Sequence, residues 1–163
     1  MANGGVNTLM KNLGKEYIHY GHTLFDQDIF QPVKNQEWGA AKPLGGFWAS
    51  PVDAERSWKN WCEDEEFRLE NLNTSFRFHL KDDARVFHIY RSDQLQQLPE
   101  LDTIIKVTWY CIDFEKAAEN WDAIELHLSE EICDDYLESL YFRLYGWDCD
   151  SILIMNPEII YNV

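Results

Sequence analysis

The chain has 163 residues, of which 29 are acidic and 14 are Lys or Arg, giving a formal net charge of −15. That balance argues against general nucleic-acid binding, which needs a basic footprint on the phosphates, and against docking on an anionic membrane. Hydrophobic residues make up 45% and aromatics 15%, so a packed globule is expected rather than a disordered chain.

Residues 1–15 show no period and read as a loose lead-in to a single domain spanning 16–163. The lead-in lacks the apolar run of a signal peptide or membrane span, so a cytoplasmic location is expected. The stretch 16–21 (E-Y-I-H-Y-G) is aromatic and β-branched and predicts a strand closed by Gly21. A turn-rich segment follows, with Phe25-Asp26, Ile29-Phe30 and Pro32-Val33. At 42–58 (K-P-L-G-G-F-W-A-S-P-V-D-A-E-R-S-W), Gly45-Gly46 offer the freedom for a sharp turn or a close approach to a ligand. Phe47 to Ala49 then run as a short strand. Ser50 as N-cap, Pro51 and Asp53 predict an immediate helix start. Ala54, Trp58, Trp61 and Cys62 supply one apolar helical face, extending the helix to about residue 67.

Two alternating runs, 74–80 and 85–90, predict strands joined as a hairpin through 81–84, with His79 and His88 as structural histidines. Ser92 caps a short helix over 93–98, and 104–110 reads as a strand. Asp113 begins a helix over 114–120. The run 121–128 alternates as a strand, with Ala123, Glu125 and His127 on one face and Asp122, Ile124, Leu126 and Leu128 on the other. Ser129 caps a helix whose stripe is Ile132, Tyr136, Leu137, Leu140, Tyr141 and Leu144, ended by Gly146. A buried strand over 151–155, an Asn156-Pro157 turn and an apolar tail close the chain. Intermixed strands and helices without a βαβ rhythm predict an α+β fold, with a largely antiparallel split sheet and flanking helices.

Cys62, Cys111, Cys133 and Cys149 form no C-x-x-C pair and read as reduced, mostly buried thiols. The histidines, His19, His22, His79, His88 and His127, show no metal-ligand spacing, so no metal site is signalled.

Three short motifs now stand in order: I-H-Y-G at 18–21, G-G-F-W-A-S at 45–50 ahead of a helix, and W-D-A-I-E at 121–125. They precede a closing run, W-D-C-D-S-I-L-I-M-N-P at 147–157. This order resembles the ADP-ribosyltransferase-like fold, with Trp48 and Ser50 standing where a catalytic Tyr would be. The resemblance implies NAD as substrate, and transfer of ADP-ribose to a protein or other target, or hydrolysis of NAD. It further implies Glu125 as the carboxylate that stabilises an oxocarbenium-like ribose. His19 would bond the ribose or pyrophosphate, Gly21 would let backbone approach the nicotinamide amide, and Trp48 would stack on the nicotinamide ring. Ser50 would brace Glu125 or the ribose. Asp148 and Asp150 are the alternative acids. Two other readings stand beside this one. One is a non-catalytic domain of the same fold. The other is an acidic interaction or inhibitor protein for a basic partner, for which the charge of −15 speaks.

Overall fold

A computed structural model of the protein describes residues 14–36, 42–102, 111–128, 144 and 146–161. The alternating runs form strands β1 (Glu16–Tyr20), β2 (Phe47–Pro51), β3 (Ser75–Leu80), β4 (Val86–Ile89), β5 (Ala123–Leu126), β6 (Ser151–Ile154) and β7 (Ile160–Tyr161). Among the described residues two α-helices accompany them, α1 (Trp58–Asp64) and α2 (Phe114–Asn120). The seven strands make one mixed sheet in the order β4-β5-β6-β2-β1-β3-β7. Among the described residues only the β4–β5 pair is parallel; the other pairs are antiparallel. The α+β class with a largely antiparallel sheet is therefore present.

Chain connectivity forces this sheet to curl. Consecutive strands β3 and β4 lie five places apart, roughly 24 Å on a flat sheet. Residues 81–85 between them reach roughly 20 Å when fully extended, and part of that reach is lost to a turn in which Ala84 N–H donates to Lys81 O at 3.0 Å. Curling brings the two ends of the order toward each other, and the hairpin expected between β3 and β4 is absent. Their alternation is that of strands, but β3 pairs with β1 and β7, and β4 with β5.

Directly opposed residues share a sheet face, so the register sorts the side chains. Tyr17, Phe47, Phe76, Phe78, Ala123, Ile152 and Ile154 fill the inner, concave face. On the outer face Phe87, Ile89, Ile124, Leu126 and Leu153 pack with Phe114 and Ala117 of α2 and with Trp147. Helix α2 begins as the sequence predicts, with the Asp113 carboxylate accepting from Lys116 N–H at 3.0 Å.

Helix α1 starts later than expected. Strand β2 runs on through Pro51, because Tyr17 pairs with Pro51 and Ile18 with Ser50, and the helix N-cap is Ser57. Ser50 still serves the helix, since its Oγ accepts from Trp58 N–H at 3.0 Å. The segment over 93–98 is a 3₁₀ turn, Ser92–Gln97, capped by Arg91 instead of Ser92. The strand expected over 104–110 and the helix expected from Ser129 lie outside the described residues, apart from Leu144.

Gly45 and Gly46 both have φ of +71°. A Cβ at Gly45 would sit 2.4 Å from Pro32 O, and one at Gly46 would sit 2.3 Å from Leu153 Cδ1. Gly46 N–H donates to Gln31 O at 2.7 Å. The glycine pair is thus held against the chain itself, and Gly46 N–H is spent inside the fold.

Asp122 pins the start of β4, the start of β5 and the end of β6 together. Its Oδ2 accepts from Arg85 N–H at 2.8 Å and Arg85 Nε at 3.1 Å. Its Oδ1 accepts from Arg85 Nη2 at 3.0 Å and Asn156 Nδ2 at 2.9 Å. Burial alone would push this carboxyl up, but the Arg85 and Asn156 hydrogen bonds outweigh it and hold it below the usual carboxylate range. No described helix is long and apolar enough to cross a membrane.

Candidate functional site

Two sites emerge, one on each face of the sheet. The outer one is a cleft of about 290 Å³, at the small end of the range for ligand pockets. Ile18, Tyr20, Trp48 and Ser50 reach it from β1 and β2, Trp58 from α1, and Trp147, Asp148, Cys149 and Ser151 from the stretch entering β6. Lys42 and Arg68 add two cations. Trp48 meets Trp147 edge-on, with centroids 4.7 Å apart, and Lys42 Nζ lies 5.1 Å from the Trp48 ring. Burial lowers the Lys42 pKa against the opposing pull of Asp148. Burial also pushes the Cys149 thiol up to about 12, so this cysteine is no thiolate nucleophile near neutral pH.

Among the residues singled out from sequence, Trp48 and Ser50 turn their side chains to this cleft, whereas His19 borders it with its ring on the inner face, opposite Phe76 in the register. The His19 imidazole itself is heavily engaged. Nδ1 bonds the Trp48 carbonyl at 2.7 Å, Nε2 meets His22 Nδ1 at 2.8 Å, and the ring packs 4.4 Å from that of Phe47. Burial lowers its pKa, partly offset by the Trp48 carbonyl. Gly21 has φ of +103° and ties its N–H to Thr74 O at 2.9 Å, closing β1. Asp148 is on the cleft wall, whereas Glu125 and Asp150 are not among its lining residues.

Glu125 belongs to the inner site. It pairs with His88 on β4 and Ile152 on β6 in the register, and it is fully buried. Its Oε1 takes an ion pair from Lys15 Nζ, and Oε2 accepts from Tyr17 O–H at 2.9 Å. His88 Nδ1 lies 3.3 Å from Oε2, His127 Nε2 3.6 Å from Oε1, and the two ring nitrogens are 3.1 Å apart. Tyr90 stacks on His127, with centroids 4.2 Å apart and planes 11° from parallel. Desolvation raises the Glu125 pKa despite the Lys15 ammonium and the Tyr17 bond. Burial, then the Glu125 charge, pushes the Tyr17 phenol up.

The inner cluster opens at one end of the curled sheet into a polar cavity of about 440 Å³, lined by Lys15, Asp53, Arg56, His127 and Asp150 among others. Burial raises the Asp150 pKa against the bond its carboxylate accepts from Leu128 N–H at 2.6 Å. A buried carboxylate of raised pKa beside several ionisable groups and an opening is the arrangement in which functional groups concentrate.

Sequence reasoning missed Lys15, Tyr17, His88 and His127 as partners of Glu125. One signal was available: Glu125 and His127 sit two apart on one strand face. His88 depends on β4 lying parallel beside β5, and Lys15 and Tyr17 depend on the curl that brings β1 across the concave face to β5. No protein-family model, no curated protein and no solved structure matches this chain.

Proposed function

We propose that the outer cleft binds NAD or a closely related nucleotide, and that the chain is an ADP-ribosyltransferase-like domain that breaks the nicotinamide–ribose bond. ADP-ribose would pass to a protein target or to water. The observation that carries this reading is a single cleft into which Trp48 and Ser50 project together with further aromatics, two cations and one carboxylate. Flat rings and a pyrophosphate are what such a lining suits: Tyr20, Trp48 and Trp58 offer faces for stacking, and Lys42 and Arg68 offer charge for phosphate oxygens.

The chemistry then falls to Asp148, the carboxylate on the cleft wall. As the C1′–N bond breaks, its electron pair leaves with nicotinamide and the ribose becomes oxocarbenium-like. A nearby carboxylate stabilises that charge and accepts the proton of the incoming hydroxyl or water. Glu125, the first choice from sequence, sits on the opposite sheet face from Ser50 by register, so it is replaced in this role.

NAD should raise the melting temperature of the purified chain, because a ligand of the native state stabilises it. Trp48→Ala should shrink that rise, and Asp148→Asn should keep it. Asp148→Asn should lower kcat for NAD cleavage by about 100- to 1000-fold, while Glu125→Gln keeps turnover. A parent chain whose melting is indifferent to NAD would sink the reading and leave the acidic interaction protein in its place.

A further inference from the structure

We propose that His88, Glu125 and His127 form a binding site for a divalent transition-metal ion, zinc(II) in the first place, at the open end of the curled sheet. The site is separate from the nucleotide cleft and does not rest on it.

The geometry is that of a metal's inner shell. One ligand atom from each residue lies within 4.8 Å of the others. The separations are 3.1 Å between His88 Nδ1 and His127 Nε2, 3.3 Å from His88 Nδ1 to Oε2, and 3.6 Å from His127 Nε2 to Oε1. A tetrahedral ion with bonds of about 2.0–2.1 Å holds its ligand atoms roughly 3.3–3.5 Å apart. Two imidazoles and a carboxylate are a donor set that zinc takes in sites with one open position. His88 and Glu125 face each other on β4 and β5 in fixed register, and His127, just past β5, is tied by its backbone N–H to Ile89 O at 2.9 Å, which is rigid support for such a shell.

The surroundings fit as well. Tyr17 O–H donates to Oε2 at 2.9 Å, the outer bond that orients a ligating carboxylate. The Lys15 ammonium supplies the positive charge that a buried carboxylate needs without an ion. Its side chain is 20% exposed and borders the polar cavity, so an ion can displace it outward. That cavity reaches the site at His127 and is bordered by Asp53, Glu55 and Asp150 as well as by Lys15 and Arg56, a polar approach for a hydrated cation.

Full-length protein stripped of metal should take up one zinc per chain in competition with a chromophoric chelator. Cobalt(II) in the same site should give the strong visible absorption of a four-coordinate ion. His88→Gln and His127→Gln should each weaken zinc by more than about 100-fold. Tyr17→Phe should weaken it by about 10- to 100-fold, as loss of an outer partner does. Lys15→Met should tighten binding by removing the competing ammonium. His22→Ala controls for the exposed His19–His22 pair, the other place where two imidazoles meet, and should change nothing. His127 is partly exposed at the mouth, so its variant stays informative if His88→Gln fails to fold, which melting curves will show. No zinc uptake by the parent chain overturns the proposal. So does uptake that survives His127→Gln, weakens in Lys15→Met, or disappears in His22→Ala.

Discussion

Asp122 and Glu125 sit on one short stretch of chain, are both buried, and are built to opposite ends. Asp122 accepts from a guanidinium, an amide side chain and a backbone N–H, groups that only donate there, and its carboxyl is held low. Glu125 is met by an ammonium, a phenol and two imidazoles, and its carboxyl is held high. The first is a carboxylate whose charge is satisfied by the fold. The second is one whose partners can ionise or ligate, and burial alone would not have distinguished them.

The largest effect should come from breaking the first. Asp122→Asn should cost about 3 kcal/mol, since hydrogen bonds to a buried charge are lost and Arg85 loses its partner. For a chain of this size that is about 6–12 °C in Tm. Glu125→Gln in metal-free protein should cost under about 1 kcal/mol, because Gln keeps the volume and sheds a charge that burial penalises. Reversed magnitudes in thermal melts would undo the comparison.

The next effect is in acid. With its folded pKa below the unfolded value, Asp122 contributes stability that is complete above the ordinary carboxylate range near pH 4 and lost as pH falls through the folded pKa. Urea melts should therefore show the parent losing stability below about pH 4 more steeply than Asp122→Asn. Parallel slopes would mean that Asp122 does not carry that charge.

Ser50 poses the same distinction on the outer face. Ser50→Ala should cost about 1 kcal/mol through the lost bond to Trp58 N–H. If the NAD-induced rise in Tm is unchanged, Ser50 belongs with Asp122 as a structural group; a lost rise would assign it to the ligand. Smallest of all, Arg77→Gln breaks the exposed Glu16 pair and should change stability by less than about 0.5 kcal/mol. A larger loss would show that pairing, rather than burial, sets these values.

The pattern of apolar residues made the strands legible. Those around Tyr17, Phe78 and Ile152 were read near their observed bounds, and the Asp113 cap marked the start of α2. Pairing was not legible, because alternation tells which face a residue takes and says nothing about its neighbour strand. That is why a β3–β4 hairpin is expected from sequence and why the place of His88 beside Glu125 is not. The Ser50-Pro51 signal misplaced the helix start for a related reason. The ladder between β1 and β2 claims those residues, and tertiary pairing overrides a local cap. Gly45-Gly46 read as a sharp turn or a close approach to a ligand; their positive φ values fit the turn, and Pro32 and Leu153 occupy the space beside them. Of the outer cleft, the sequence marks Trp48, Ser50 and, as an alternative acid, Asp148. Lys42, at the head of the 42–58 run, and Arg68 carry no spacing signal that marks them as cleft cations.

That strand order has a consequence for how the protein is made. The centre of the sheet is the β2–β6 ladder, Phe47 to Ala49 against Ile152 to Ile154, which joins residues far apart along the chain. Such non-local pairing must close long loops before it gains any contact, so refolding should be slow for a chain of this size, on the order of milliseconds to seconds. On the ribosome the aromatic strand β2 emerges well before β6 and has one of its edges unpaired until β6 follows. During that interval the nascent chain presents Phe47 and Trp48 to chaperones, and to other copies of itself.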